Sequence, residues 1–204
     1  MIAVGAWRVA GGELPIADFW TLYAPGAFWW NGALFAAFGV ELLVLRAAHA
    51  VALLAFVLAV YGLVRKGGAG ERVALAAWGL ASLWCAGFRT PYGYPVVPAL
   101  ALAAAALWLL QAAVHAGDRA RAFAGGALLG AAGVFRHELG IAFGVAFSAW
   151  IALLAWHQNP AGLARRSLLR CWLRVCAGAA AVLLLGFGLL YAGGKLRRKT
   201  QPTK

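Results

Sequence analysis

The sequence is built from long apolar runs separated by short polar segments, and this pattern limits the fold more than any other feature. Of the 204 residues, 64% are hydrophobic and only 12% are charged. A chain of this length cannot bury that much apolar surface inside a soluble domain. The runs therefore predict an all-α, multi-pass transmembrane bundle that forms one domain over residues 1–204.

About six apolar runs are predicted to be membrane spans. They are residues 40–64, 73–88, 96–114, 123–135, 141–156 and 173–192. The run 123–135 is shorter than the roughly 20 residues that cross the hydrocarbon core, so one end is expected below the membrane surface. Gly125, Gly126 and Gly130 lie in it, and small residues allow helices to pack closely in lipid.

A polar segment punctuated by Gly and Pro precedes these spans at residues 11–26, GGELPIADFWTLYAPG. The aromatic-rich run behind it, 27–38, is too short to span. Its Trp29, Trp30 and Asn31 are typical of a helix lying along the membrane interface. We therefore expect an outer loop and interfacial helix over residues 11–38. Residues 1–10 have the character of the last part of a helix.

The net charge of +12 comes from Lys and Arg in short clusters between the apolar runs. Such clusters are typical of membrane loop anchors, so no nucleic-acid partner is expected. With the Asp18 loop outside the cytoplasmic membrane, the inner loops follow the positive-inside rule. They carry Arg65, Lys66, Arg72, Arg119, Arg121, Arg165, Arg166 and Arg170. The basic tail, 193–204, is the exception, because this span count places it outside.

Two short motifs resemble the GT-C membrane glycosyltransferases. Residues 17–19, ADF, followed by Tyr-x-Pro-Gly at 23–26 resemble their first outer loop, and residues 135–140, FRHELG, resemble a later Arg-polar-acid-x-Gly turn. The similarity is to the bacterial protein O-mannosyltransferase and aminoarabinose transferase groups and covers roughly residues 7–190. It implies sugar transfer from a polyprenyl-phosphate donor to a hydroxyl of a glycan, lipid or protein. It also implies a chain that is incomplete at both ends, because members carry further helices before and after this region.

The resemblance makes Asp18 the counterpart of the acid in the first outer loop. A carboxylate there can act as a general base on the acceptor hydroxyl. The alternative is that Asp18 is an N-cap or turn acid. Glu13 is expected to be a solvated loop acid. Tyr23, with Trp20 and Trp30, is close enough in sequence to stack on a sugar or prenyl chain.

A departing phosphate needs cations or amide donors near it. Arg89, Arg136 and His137 are the candidates on the outer side. For Arg136 the alternative is snorkelling to the interface or pairing with Glu138. Glu138 is also counted among the candidate substrate-binding residues, together with Tyr23, Arg89, Arg136 and His137. His137 is expected to be an orienting or loop residue rather than a catalyst.

Arg46 and His49 lie inside the first predicted span, where ionisable groups are costly and tend to face protein or water. Three positions apart, they are expected to share a helix face. The leading interpretation is a structural ion pair of Arg46 with Glu41 or Glu138. Support of the donor phosphate is the alternative.

Cofactor signals are weak in this sequence. Cys85, Cys171 and Cys176 lie in apolar runs without CxxC or CxxH spacing, so neither a disulfide framework nor a zinc site is indicated. A divalent metal ion bridging Asp18 and the donor phosphate is the one cofactor considered, although no ligand cluster argues for it.

A second functional class stays open from the sequence. The alternative is a non-enzymatic membrane protein, such as a transporter fragment or an assembly subunit, in which the same charges are packing pairs. An enzyme is expected to gather Asp18, Arg89 and Arg136 around one outward pocket. A transporter places its polar groups near the middle of the membrane.

Overall fold

The computed structural model describes residues 2–87, 94–156 and 165–200, with side chains described for 166–192 in the last range. Within these ranges the chain forms eight helices, and its strand pairing is one isolated bridge between Pro15 and Phe19. The helices are α1 Ile2–Ala10, α2 Pro25–Phe38, α3 Leu42–Lys66, α4 Glu71–Gly87, α5 Val96–Ala116, α6 Arg119–Phe135, α7 His137–Trp156 and α8 Arg165–Thr200.

The predicted all-α membrane bundle is confirmed. Helices α3, α5 and α7, together with Arg166–Ala192 of α8, are long and apolar enough to cross a bilayer. Helices α4 and α6 correspond to the two other predicted spans but have only 17 residues each, which is less than the roughly 20 that span the hydrocarbon core. Four of the about six predicted spans therefore meet the length that a crossing needs.

Helix α6 is the centre of the bundle because glycines let α8 approach its backbone. A side chain at Gly126 would collide with the backbone of Val175, and one at Gly130 would lie 2.6 Å from the carbonyl oxygen of Ala179. Since both contacts advance by four residues in the same direction, α6 and α8 run parallel. The close packing predicted for these glycines is confirmed, and it uses the small-residue spacing common between membrane helices.

Two tight connections fix the direction of α6 relative to its neighbours. Asp118 is the N-cap of α6, and its Oδ1 accepts hydrogen bonds from the backbone N–H groups of Ala120 and Arg121 at 2.9 and 3.1 Å. At the other end Arg136 is extended, with φ −151°, so α6 stops and α7 starts at the next residue. The chain thus reverses at both connections, so α5 and α7 run antiparallel to α6, and the bundle has two ends.

We call these the loop end and the basic end. The loop end comprises residues 11–24, the start of α5 and the turn between α6 and α7. The basic end comprises the turns after α3 and α5 and the start of α8.

Helix α2 holds residues 11–24 at the loop end. A side chain at Gly26 would lie 2.7 Å from the carbonyl oxygen of Val134, so the first turn of α2 abuts the last turn of α6. Trp30 is 45% exposed, as an interfacial helix requires. Asn31 is only 1% exposed, so its amide belongs to the protein interior. The position of α2 along a membrane surface stays a prediction.

Candidate functional site

Residues 11–24 fold back on α1 around Arg8. The Nε of Arg8 donates to Oε2 of Glu13 at 2.6 Å, and its Nη2 donates to the carbonyl oxygen of Asp18 at 3.3 Å. Its guanidinium lies 4.6 Å from the centre of the Phe19 ring, within cation–π range. Glu13 is therefore an ion-pair partner rather than the solvated acid expected from the sequence, and Arg8 organises a loop in which it does not itself lie.

The Asp18 carboxylate closes a turn in this loop. Its Oδ2 accepts a hydrogen bond from the backbone N–H of Leu14 at 2.6 Å, while the Asp18 N–H donates to the Leu14 carbonyl at 2.9 Å. Between them Ile16 has a φ of +70°, a conformation rarely adopted by β-branched residues. The structure thus gives Asp18 the turn-acid role that the sequence left as the alternative. Its role as a general base stays a prediction.

Tyrosines connect this loop to the turn between α6 and α7. The Tyr23 and Tyr94 rings meet edge to face with centres 6.0 Å apart. The hydroxyl of Tyr94 accepts a hydrogen bond from Nη1 of Arg136 at 3.3 Å, and the guanidinium lies 5.9 Å from the centre of the same ring. Two candidates that are far apart in sequence, Tyr23 and Arg136, are therefore brought together by Tyr94, which the sequence analysis did not select.

Arg136 is also paired with Glu138 through both arms of its guanidinium. The Nε–Oε2 and Nη2–Oε1 distances are each 3.3 Å. This hydrogen bonding to Glu138 is the main reason that the pKa of Arg136 is raised. The Glu138 side chain is 55% exposed, so the pair lies at the surface of the protein. The pairing alternative for Arg136 is confirmed.

His137 lies between the ion pair and an apolar cavity. Its Nδ1 is 3.8 Å from Oε2 of Glu138. The imidazole also lines a cavity of about 400 Å³ between α6, α7 and α8, a volume within the range of small-molecule sites. The cavity extends from His137 to Ser148, or about 16 Å along α7 at 1.5 Å per residue. Ser148 accepts a hydrogen bond from the Trp172 indole at 3.0 Å.

The cavity was missed from the sequence, although glycines mark it. Gly133, Gly140 and Gly144 lie along the facing sides of α6 and α7 and line the space. Around Gly144 no atom lies within 4 Å of the point that a side chain would occupy. The repeated glycines therefore serve two purposes, since some let backbones touch while others leave volume unfilled.

The remaining candidates are separate from this site or are not described. Arg89 lies outside the described residues. Both Arg46 and His49 lie on α3, three positions apart, but Arg46 is exposed whereas His49 is only 8% exposed. Glu138, one of the two partners considered for Arg46, is paired with Arg136.

Metal ligands are not clustered in the part of the chain that the structure describes. Within those residues no group of three or more His, Cys, Asp and Glu side chains is placed to hold a metal ion. The cation that would bridge Asp18 and a donor phosphate therefore stays a prediction.

The fold and the apolar helices define a multi-pass helical membrane protein. No protein-family model, curated protein or solved structure matches the chain. The resemblance of residues 17–26 and 135–140 to GT-C glycosyltransferases therefore stays a prediction.

Proposed function

We propose that this chain is a membrane glycosyltransferase, or part of one, that moves a sugar from a polyprenyl phosphate to a hydroxyl of a glycan, lipid or protein. One observation carries the proposal. The two motifs that resemble such enzymes meet at the loop end through the contacts of Tyr23 with Tyr94 and of Tyr94 with Arg136. The positive-inside pattern supports an outward-facing loop end on the cytoplasmic membrane.

Asp18 is the general base in this proposal. The hydrogen bond from the Leu14 N–H to Oδ2 fixes the position of the carboxylate in the loop. An ionised carboxylate at the membrane surface accepts the proton of the acceptor hydroxyl as that oxygen bonds to the anomeric carbon of the sugar. The bond from that carbon to the phosphate oxygen then breaks, and the polyprenyl phosphate leaves.

Arg136 and His137 bind the phosphate of the donor. The Arg136 guanidinium is exposed enough to exchange Glu138 for a phosphate, because an exposed ion pair contributes at most about 1 kcal/mol. Phosphate oxygens then accept the same two parallel N–H bonds that Glu138 now accepts. The apolar cavity that starts beside His137 suits the first part of a prenyl chain.

The test replaces Asp18 by Asn. The amide oxygen of Asn still accepts the Leu14 N–H bond, so the loop conformation is retained while the base is lost. Membranes containing the chain are incubated with tritium-labelled hexoses and pentoses on polyprenyl phosphate, and transfer to endogenous acceptors is counted with and without EDTA. We expect a loss of about 10²–10⁴-fold in D18N, the usual contribution of a general base.

Glu41→Gln is the matched control, because Glu41 is an exposed acid at the start of α3 whose side chain does not cap the helix. It should transfer at the native rate. Transfer that persists in D18N, with both variants present equally in the membrane, would remove Asp18 as the base. Loss of transfer on EDTA treatment would support a divalent cation that bridges Asp18 and the donor phosphate.

A non-enzymatic membrane subunit is the second candidate, and one observation favours it. The carboxylate of Asp18 and the guanidinium of Arg136 are both satisfied inside the chain, by Leu14 and Glu138. Such a subunit would transfer no sugar from any donor and would tolerate D18N. A transporter would instead expose a cysteine placed at Ser148 to thiol reagents from both sides of the membrane.

A further inference from the structure

A second pocket lies at the opposite end of the bundle, where α5 ends and α6 and α8 begin. Its volume is about 110 Å³, several times the roughly 30 Å³ that a water occupies, which leaves room for a phosphate group. The polar lining comes from Asp118, Arg119, Ser167, Arg170 and Arg174. We call it the basic pocket.

The positive charge of the basic pocket is not neutralised by the residues that the structure describes. Arg119, Arg170 and Arg174 form no ion pair with any described carboxylate. Asp118 is the one described acid in the lining, and it already accepts two backbone N–H bonds at the start of α6 and pairs with Arg121 at 3.2 Å. An anion from outside the described chain can therefore bind there without displacing a carboxylate.

The half-buried position of Arg174 adds to this argument. Arg174 is half-buried and lies inside the apolar stretch Arg166–Ala192, about 12 Å from its start at 1.5 Å per residue. Charged groups at such positions usually have a partner or line a polar cavity. Arg170 lies one turn away on the same face, while Leu169 and Leu173 beside them are more than half exposed and offer apolar surface to acyl chains.

We propose that the basic pocket binds the phosphate of an anionic membrane phospholipid. The guanidinium groups of Arg170 and Arg174 donate charge-assisted hydrogen bonds to the phosphate oxygens, and the acyl chains lie along Leu169 and Leu173. Basic pockets between helices on the cytoplasmic side are a recognised way of holding such headgroups. The proposal is independent of the glycosyltransferase reaction, because the pocket and the loop end are at opposite ends of α6.

The test measures lipid binding by the full chain. The purified protein is stripped of lipid and titrated with phosphatidylglycerol or phosphatidylcholine in detergent, and bound lipid is counted by native mass spectrometry. Thermal unfolding is followed by tryptophan fluorescence. We expect a retained phosphatidylglycerol that raises the Tm, and about tenfold weaker retention in Arg170→Gln/Arg174→Gln. Phosphatidylcholine should give neither effect.

Arg65→Gln/Arg72→Gln is the matched control, since it removes two exposed charges from the same end of the bundle but outside the pocket. It should retain the lipid as the native chain does. Equal loss in both double variants would mean attraction to general surface charge and would overturn the site. Equal stabilisation by inorganic phosphate would also overturn the lipid assignment in favour of a soluble anion.

A third variant separates lost binding from lost folding. Arg174→Lys keeps the charge but removes the two-pronged donor geometry of the guanidinium. It should fold as the native chain in phosphatidylcholine and bind phosphatidylglycerol with intermediate strength. If the single variants Arg174→Lys and Arg170→Gln both bind phosphatidylglycerol as strongly as the native chain, the pocket assignment is contradicted.

Discussion

The two ends of the bundle treat their charges in opposite ways. At the loop end Arg136 pairs with Glu138, and Arg8 of α1, which organises residues 11–24, pairs with Glu13 of that loop. At the basic end, Arg170 and Arg174 line a pocket without a carboxylate partner among the described residues. The loop end therefore supplies its own carboxylate partners, whereas the basic pocket leaves arginines with which an anion from outside the described chain can pair.

A ligand must displace different partners at the two ends of the bundle. A ligand at the loop end must displace an existing partner, since Glu138 already occupies the guanidinium of Arg136. A ligand at the basic pocket displaces only water. Binding at the loop end is therefore expected to be weaker and exchangeable, as suits a substrate, while binding at the basic pocket is expected to be retained through purification, as suits a structural lipid.

The largest expected effect is the all-or-none labelling of the two ends. With the three native cysteines replaced by alanine, single cysteines are placed at the exposed positions Ala17, Gly70 and His137. Intact cells are treated with a membrane-impermeant thiol reagent. Positions 17 and 137 should label while 70 should not, because the positive-inside rule predicts that the basic end faces inward.

Lysed cells provide the control, in which all three positions should react. If only position 70 is labelled in intact cells, the protein has the opposite orientation in the membrane. An outward-facing transferase site at the loop end would then be excluded, and the basic pocket would face away from the cytoplasm.

The next effect comes from α6, which joins the two ends. Gly126→Leu forces a side chain into the backbone of Val175, and overpacking of this kind costs typically 1–3 kcal/mol. The Tm in detergent should fall, and the contacts at both ends should be lost together. Gly79→Leu on α4 is the control, since no atom lies within 4 Å of that position, and it should leave the Tm unchanged. A native Tm for Gly126→Leu would mean that α8 does not contact α6 as described.

The positions of the helices could be predicted because apolar runs report burial in lipid or protein directly. The residues at which the helices begin could not be predicted in this way. Helix α6 begins at Arg119 rather than at 123 because Asp118 caps it, and an N-cap acid before basic residues is a signal that hydropathy ignores. Helix α8 likewise begins at Arg165, before the predicted span 173–192, so Arg170 was assigned to a loop and Arg174 to the start of a span.

The candidate site was predictable only in part. The polar motifs singled out Tyr23, Arg136 and Glu138, which the structure brings to one end. Arg8 and Tyr94 were missed because their roles depend on contacts with other segments, and Tyr94 touches Arg136 across 42 positions of sequence. No local pattern encodes such a contact. For Asp18, sequence patterns cannot separate a turn acid from a base, because both need an exposed carboxylate.

A smaller effect isolates the link within the loop end. Tyr94→Phe keeps the ring that packs on Tyr23 but removes the hydroxyl that accepts from Arg136. The loss should be about 1 kcal/mol in the free energy of unfolding, the usual contribution of one hydrogen bond. Urea or SDS titration followed by circular dichroism measures it. Tyr191→Phe, at a position that is 73% exposed, is the control and should change nothing. A loss as small as that of the control would show that the ring contact alone joins the loop to α6.

The smallest effect concerns the ion pair at the loop end. Glu138→Gln removes the charge opposite Arg136 but keeps an acceptor oxygen, and an exposed pair contributes at most about 1 kcal/mol. The same titration at low salt should therefore detect a loss below that value, and the loss should vanish near 1 M salt, where the Debye length is about 3 Å. Because the freed guanidinium then resembles those of the basic pocket, this variant should retain more phosphatidylglycerol than the native chain. If lipid retention does not rise, an unpaired arginine alone does not make a phospholipid site in this protein, and the shape of the basic pocket between α5, α6 and α8 is what distinguishes its two ends.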